Sequence, residues 1–197
     1  MTEQKDLKVE DIKKGAEEKH RCPVQKAIYY IEEFLAGPMC GKCFPCAFGT
    51  YEAKIRLTNI ISGKGTEKDL FILKYIANNM IEASRCKRGR DTAKFLLEWM
   101  GNDAFKEHVA ERRCPDKECL VFIEYRIIPE KCIMCGECQV ACRFNAVLGE
   151  KKKPYISGYL PFEIIQKRCT KCGECIKVCP TNAIEIVDIE SKEPVGV

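Results

Sequence analysis

The feature that most narrows this chain's options is a repeat of cysteines. "EKCIMCGECQVACRFNAV" (130–147) aligns with "KRCTKCGECIKVCPTNAI" (167–184) at a constant offset of 37 residues. Cys132, Cys135, Gly136, Glu137, Cys138, Cys142, Asn145 and Ala146 each recur. A repeat of both spacing and chemistry marks two copies of one supersecondary unit. Each copy reads C-x2-C-x2-C-x3-C, which places three thiols in one tight turn and a fourth just beyond it.

Pro180 follows the last cysteine of the second copy, as in the bacterial ferredoxin pattern. In that pattern three thiolates of one turn hold three irons of a cubane, and the fourth cysteine ligates the other cluster. Cys132, Cys135, Cys138 and Cys179 are therefore expected to hold one [4Fe–4S] cluster, and Cys169, Cys172, Cys175 and Cys142 a second. Gly136 and Gly173 let backbone amides approach the cluster sulfurs. Ile133, Val140, Val147, Ile176 and Ile184 are expected to exclude water. Cys142 is followed by Arg143 instead of proline, and a cation there should favour the reduced state of its cluster.

"MCGKCFPCAFGTYEAK" (39–54) repeats the three-thiol turn with Cys40, Cys43 and Cys46. A cubane corner is then missing. Cys86, in "SRCKRGRDT", is the favoured fourth ligand, because antiparallel helices return the end of one to the start of the one before it. Lys87, Arg88 and Arg90 should lower its thiol pKa. Cys22, at the other end of the preceding helix, is the alternative.

Fifteen cysteines in 197 residues is far above ordinary usage. The highly charged start, "MTEQKDLKVEDIKKGAEEKH", lacks the apolar core of a secretory signal, so a cytoplasmic location with metal-bound thiolates is expected rather than a disulfide framework. No apolar run approaches the roughly 20 residues of a membrane span. The formal charge of +4 falls to roughly −2 once three clusters of about −2 each are counted. A zinc-based nucleic-acid module would need paired cysteine spacings and a basic recognition helix, and no nucleic-acid partner is expected.

The chain reads as three parts: a polar N-terminal arm (1–21), a helical segment (22–118) and a ferredoxin-like segment with a C-terminal tail (119–197). Pro23 suits a first helical turn, and Ala27, Ile28, Ile31, Phe34 and Leu35 follow one helical face until Gly37-Pro38. A second helix is expected from Phe48 to Gly63, carrying Tyr51, Ile55, Thr58 and Ile61. Thr66 and Asp69 resemble a capping box for a third, with Leu70, Leu73, Ala77, Met80 and Ile81 on its face. Asp91 could cap a fourth carrying Phe95, Leu96, Trp99 and Met100. The fold class is therefore α + (α+β): a four-helix bundle holding one iron–sulfur cluster, then a bacterial-type two-cluster ferredoxin domain. "CLVFIEYRIIP" reads as a strand.

"CGKCFPCAFGTYEA", followed by "GKGTEKDL" and Cys86, resembles the C-terminal helical domain of the flavin-carrying, NADH-oxidising subunit of respiratory complex I. That resemblance implies a [4Fe–4S] cluster held by the C-x2-C-x2-C turn and one distant cysteine. The order of domains is similar to the related subunit of electron-bifurcating and NAD(P)-linked hydrogenases and formate dehydrogenases. The resemblance covers residues from about 22 to 187. The family's flavin and nucleotide domain normally precedes the bundle; here about 21 polar residues do, and no glycine-rich phosphate loop is found.

The expected function is electron transfer: an oxidoreductase subunit relaying single electrons through three [4Fe–4S] clusters, with no catalytic acid, base or nucleophile of its own. Expected partners are other subunits of a redox complex, of flavin, molybdenum, tungsten or hydrogenase type, and a ferredoxin. The rival readings are a self-contained flavin- or NAD(P)-dependent oxidoreductase and a zinc-based nucleic-acid module. Three cysteines are left over. With one of the chain's two histidines they make a Cys3His set, Cys22, His108, Cys114 and Cys119, the usual composition of a structural zinc site. It is expected at the junction of the two domains, with His20 as the alternative to His108.

Overall fold

The computed structural model describes residues 8–153 and 160–189. The first seven residues of the expected arm and the tail beyond 189 lie outside the described residues. The chain divides into two compact units, Met1–Phe122 and Ile123–Val197. Cys119 is thus part of the helical unit and not, as its position at the expected 118/119 boundary implied, of the ferredoxin-like one.

The helical unit is built from α1 (Val9–Lys19), α2 (Pro23–Ala36), α3 (Phe44–Ile61), α4 (Glu67–Ala83) and α5 (Lys87–Met100), followed by α6 (Ala104–Lys106), which runs into a π-helical turn at Glu107–Glu111. Helix α3 packs on α2 and α4, α5 packs on α4 and α2, and α1 packs on α2 and α5. The expectation of four helices with a polar arm needs correction, because the described part of the arm is a fifth helix. Its Val9, Ile12 and Ala16 are buried at helical spacing. Three apolar residues suffice because charged stems complete the seat. Lys13 lies over the Phe95 ring at 4.7 Å and pairs with Glu98 at 2.7 Å.

Pro23 opens α2 at its first turn, and Gly37 ends it. Thr66 and Asp69 form the capping box of α4, with the Thr66 amide donating to Asp69 Oδ2 at 2.8 Å. Asp91 lies inside α5, whose N-cap is Cys86. Helix α3 starts at Phe44, before the expected Phe48, and buries Cys46, Gly49, Thr50, Ala53, Leu57 and Ile60. Tyr51 and Ile55 are exposed. Close approach decides this face: a Cβ on Gly49 would stand 2.8 Å from Met80 Sδ of α4. The small Gly49, Thr50 and Ala53 sit on the buried face of this stretch, and Tyr51 and Ile55 turn outward.

In the second unit β1 (Ile123–Ile127) pairs antiparallel with β4 (Ile184–Asp188), Tyr125 opposite Ile186. β2 (Val147–Leu148) pairs with β3 (Glu163–Ile164), and α7 (Glu137–Ala141) and α8 (Glu174–Lys177) follow the two cysteine turns. The repeat extends to the backbone. Positive φ angles recur at Met134 and Lys171, at Gly136 and Gly173, and at Asn145 and Asn182. Among the described residues no helix is long and apolar enough to cross a membrane.

Candidate metal centres

Each half of the ferredoxin-like unit supplies a turn with a residue at φ near +56° and, two positions on, a glycine near +83°, the left-handed backbone that turns amides towards an anion. Cys132, Cys135 and Cys138 line a small cavity, and Cys179, from the other half, lines it too. Cys169, Cys172 and Cys175 line a second with Cys142. The crossed arrangement follows from α7 and α8 packing on each other, so that each chain segment leaves its own turn beside the opposite one. Met134, Phe162 and Ile184 wall the first cavity, and Tyr125, Phe144 and Val147 the second. Backbone amides already donate to the sulfurs: Ala183 to Cys179 at 3.2 Å, Ala146 to Cys142 at 3.3 Å and Lys171 to Cys169 at 3.4 Å.

Cys138 and Cys175 have thiol pKa values pushed up to about 11, chiefly by burial and then by the neighbouring thiolates. Iron would replace those protons and neutralise the crowded charge. Four sulfurs around an apolar cavity with amide donors on them fit a cubane cluster. Of the five residues expected to keep water out, Val147 and Ile184 are buried, whereas Val140 is 85% exposed and Ile133 54%. Val140 lies on the outer side of a helix too short to have a second buried face. Arg143 is exposed, and its charge reaches Glu174, where with Lys177 it lowers the carboxyl pKa.

In the helical unit Cys43 is the N-cap of α3, Cys46 lies in its first turn and Cys86 is the N-cap of α5. Two helix N-termini therefore face the same group of thiols, and their unpaired amides favour negative charge there. Cys46 is buried and its pKa is pushed up to about 11, first by burial, then by Cys43, with Cys86 and Cys40 adding to it. The charge of Cys86 thus reaches Cys46, whereas Cys22 is gathered with His108, Cys114 and Cys119. An amide hydrogen bond from Arg85 holds the Cys43 thiol below its ordinary value. The cations expected to act on Cys86 are engaged elsewhere: Lys87 with Glu10 and Asp91, Arg88 with the Pro38 carbonyl and Arg90 with the Ser84 carbonyl.

Cys22, His108, Cys114 and Cys119 are all buried, and their ligand atoms lie within 4.8 Å of one another. Cys22 Sγ is 3.8 Å from Cys119 Sγ and 3.5 Å from His108 Nε2. Zinc bonds of about 2.3 Å to sulfur and about 2.0 Å to nitrogen set tetrahedral separations close to these, roughly 3.8 and 3.5 Å. The Ala104 carbonyl, 2.6 Å from His108 Nδ1, accepts its proton, so Nε2, which faces the thiols, is the atom that would give up its proton to bind a metal. The π-helical turn presents the ring. Burial pulls the His108 pKa down, but hydrogen bonds to Cys114 and Cys22 outweigh it and lift it to about 10. Cys114 is driven down and Cys119 up by mutual hydrogen bonds, the behaviour of thiols that cannot all ionise without a cation between them.

Two supporting residues escaped sequence reasoning. The Glu118 carboxylate accepts the amides of Arg21 and Cys22 at 2.9 and 2.8 Å, and the His20 ring. Gln25 Nε2 donates to Cys119 Sγ at 3.3 Å. Glu118 had a signal, its adjacency to Cys119; Gln25 had none. His20 pairs with Glu118, outside the Cys3His set.

Residues 26–112 match the NADH-ubiquinone oxidoreductase-F iron-sulfur binding region, and residues 131–184 match the 4Fe-4S dicluster domain. The chain is thus an iron–sulfur protein that joins these two domain types in that order. It is similar to the NADP-reducing hydrogenase subunit HndC of Solidesulfovibrio fructosivorans, 32% identical over 136 residues, which are 68% of this chain and 28% of the relative. It is also similar to an NADH-quinone oxidoreductase subunit of Streptomyces coelicolor, 36% identical over 94 residues, 47% of this chain and 21% of that one. The NADP(+)-dependent formate dehydrogenase subunit beta of Moorella thermoacetica is 33% identical over 72 residues, 36% and 10% of the two chains. The chain spans less than a third of the length of these relatives, matching the C-terminal part of the NADH-oxidising subunit type.

Proposed function

We propose that the chain is an electron-transfer subunit of an NAD(P)-linked oxidoreductase complex. Three [4Fe–4S] clusters would relay single electrons between a redox-active partner subunit and a flavin-bearing or ferredoxin-like one. Cys40, Cys43, Cys46 and Cys86 would hold the first cluster. Cys132, Cys135, Cys138 and Cys179 would hold the second, and Cys169, Cys172, Cys175 and Cys142 the third. The observation that carries this reading is the meeting of each ferredoxin triplet with the distant cysteine of the opposite half in one apolar cavity. The clusters supply one-electron redox chemistry; the protein's contribution is burial, amide hydrogen bonds and local charge, the levers that set potential.

Cys22, His108, Cys114 and Cys119 would hold a structural zinc ion. Zinc is redox-inert, so it would stand outside the relay and tie the start of α2 to the segment that ends the helical unit. Four buried polar ligand atoms drawn together without an ion would be costly, which supports the reading. An iron and sulfide determination on anaerobically prepared full chain tests the cluster count. About 12 of each per chain are expected. A count of about 8, with Cys40 open to alkylation, would remove the helical-unit cluster.

A further inference from the structure

Ser84 is the C-cap of α4, 3% exposed, and its Oγ has no hydrogen-bond partner among the described residues. A buried hydroxyl without a partner is costly, and one in a native fold calls for a physical account. Its surroundings supply one. A Cβ placed on Gly89, in the first turn of α5, would stand 2.8 Å from Ser84 Oγ and 3.1 Å from Cys46 Sγ. The hydroxyl and the buried thiol of the α3 triplet therefore converge over a glycine that keeps the space between them open. The Ser84 carbonyl is already held by Arg90 Nη1 at 3.1 Å, and its amide by Met80 O at 3.1 Å. Only the hydroxyl is left to act, two residues before Cys86.

We infer that Ser84 Oγ donates a hydrogen bond to a sulfur of the cluster held by Cys40, Cys43, Cys46 and Cys86, and that this bond raises the cluster's reduction potential. The inference rests on the ligand set proposed above. A reduced cluster carries one more negative charge than an oxidised one, so a donor to its sulfur stabilises the reduced state more. The hydroxyl keeps its proton; one electron enters the cluster and no bond forms or breaks.

The test is a redox titration of the full chain, followed by electron paramagnetic resonance, with iron counted on each sample. Ser84→Ala should lower the potential of this cluster alone. At the wild-type midpoint the reduced-to-oxidised ratio should fall by up to about tenfold, or about 59 mV for one electron. Ser84→Thr keeps the hydroxyl and should stay near wild type. Ser84→Val has the shape of threonine without the hydroxyl and should follow Ser84→Ala. Loss of the cluster in Ser84→Ala and Ser84→Val but not in Ser84→Thr also supports the bond. An unmoved potential in Ser84→Ala, equal shifts in the threonine and valine variants, or loss of the cluster in all three would overturn it. A wild-type count of about 8 iron atoms fails the cluster reading instead.

Discussion

Cys22 Sγ stands 3.5 Å from His108 Nε2 although 86 positions separate the two residues. Cys22 is the N-cap of α2, and His108 sits in the π-helical turn that follows α6. Contact between α2 and α6 brings the two together.

Elemental analysis should therefore find roughly one zinc per chain beside a full iron complement. His108→Ala should release the zinc and leave the iron. Gln25→Leu and Glu118→Gln should weaken zinc binding by about tenfold in competition with a chelator, the usual cost of losing an outer partner. Zinc that survives replacement of both Cys114 and Cys119 would contradict the site.

Cys86→Ser should lower the iron content from about 12 to about 8 per chain and leave the ferredoxin pair intact. Cys22→Ser should leave all three clusters in place. A reduced spectrum that responds to Cys22→Ser but not to Cys86→Ser would reverse the ligand assignment.

Crossed ligation makes a counterintuitive prediction for the repeat. Cys179→Ser should disable the cluster on the Cys132 turn, and Cys142→Ser the one on the Cys169 turn. Arg143 is exposed, so Arg143→Gln should lower the potential of the Cys142 cluster by only about 20 mV, the equivalent of about 0.5 kcal/mol for a solvated charge. Paramagnetic resonance on each variant distinguishes the two clusters.

Burial pushes the Asp69 carboxyl up, but hydrogen bonds from Thr66 and Arg56 outweigh it and hold its pKa below the ordinary 3.8. A carboxyl depressed in the folded state adds stability above its unfolded pKa, and that stability is lost as pH falls through the folded value. Asp69→Asn should therefore cost about 1–2 kcal/mol at neutral pH. The gap between the two chains should close below pH 3.8. Paired thermal melts under identical conditions read the difference, and a gap that persists in acid would refute it.

The short-range chemistry of this chain was legible in its residues. A C-x2-C-x2-C turn is closed by local backbone geometry, and its positive-φ residues recur wherever the repeat does. The capping box of α4 and the proline start of α2 were likewise local. What spacing could not decide was which distant group completes each set. Cys86 and Cys22 were both open as the fourth partner of Cys40, Cys43 and Cys46, and His108 and His20 were both open for the remaining cysteines. Packing of α4 on both α3 and α5 sets the start of α5, which Cys86 caps, near Cys46, and the π-helical turn aims His108 at Cys22. The seating of α1, the outward face of α3 and the orphaned hydroxyl of Ser84 were equally invisible. Each depends on how closely one helix approaches another, and that distance is set by side chains far apart in sequence, such as Gly49 and Met80.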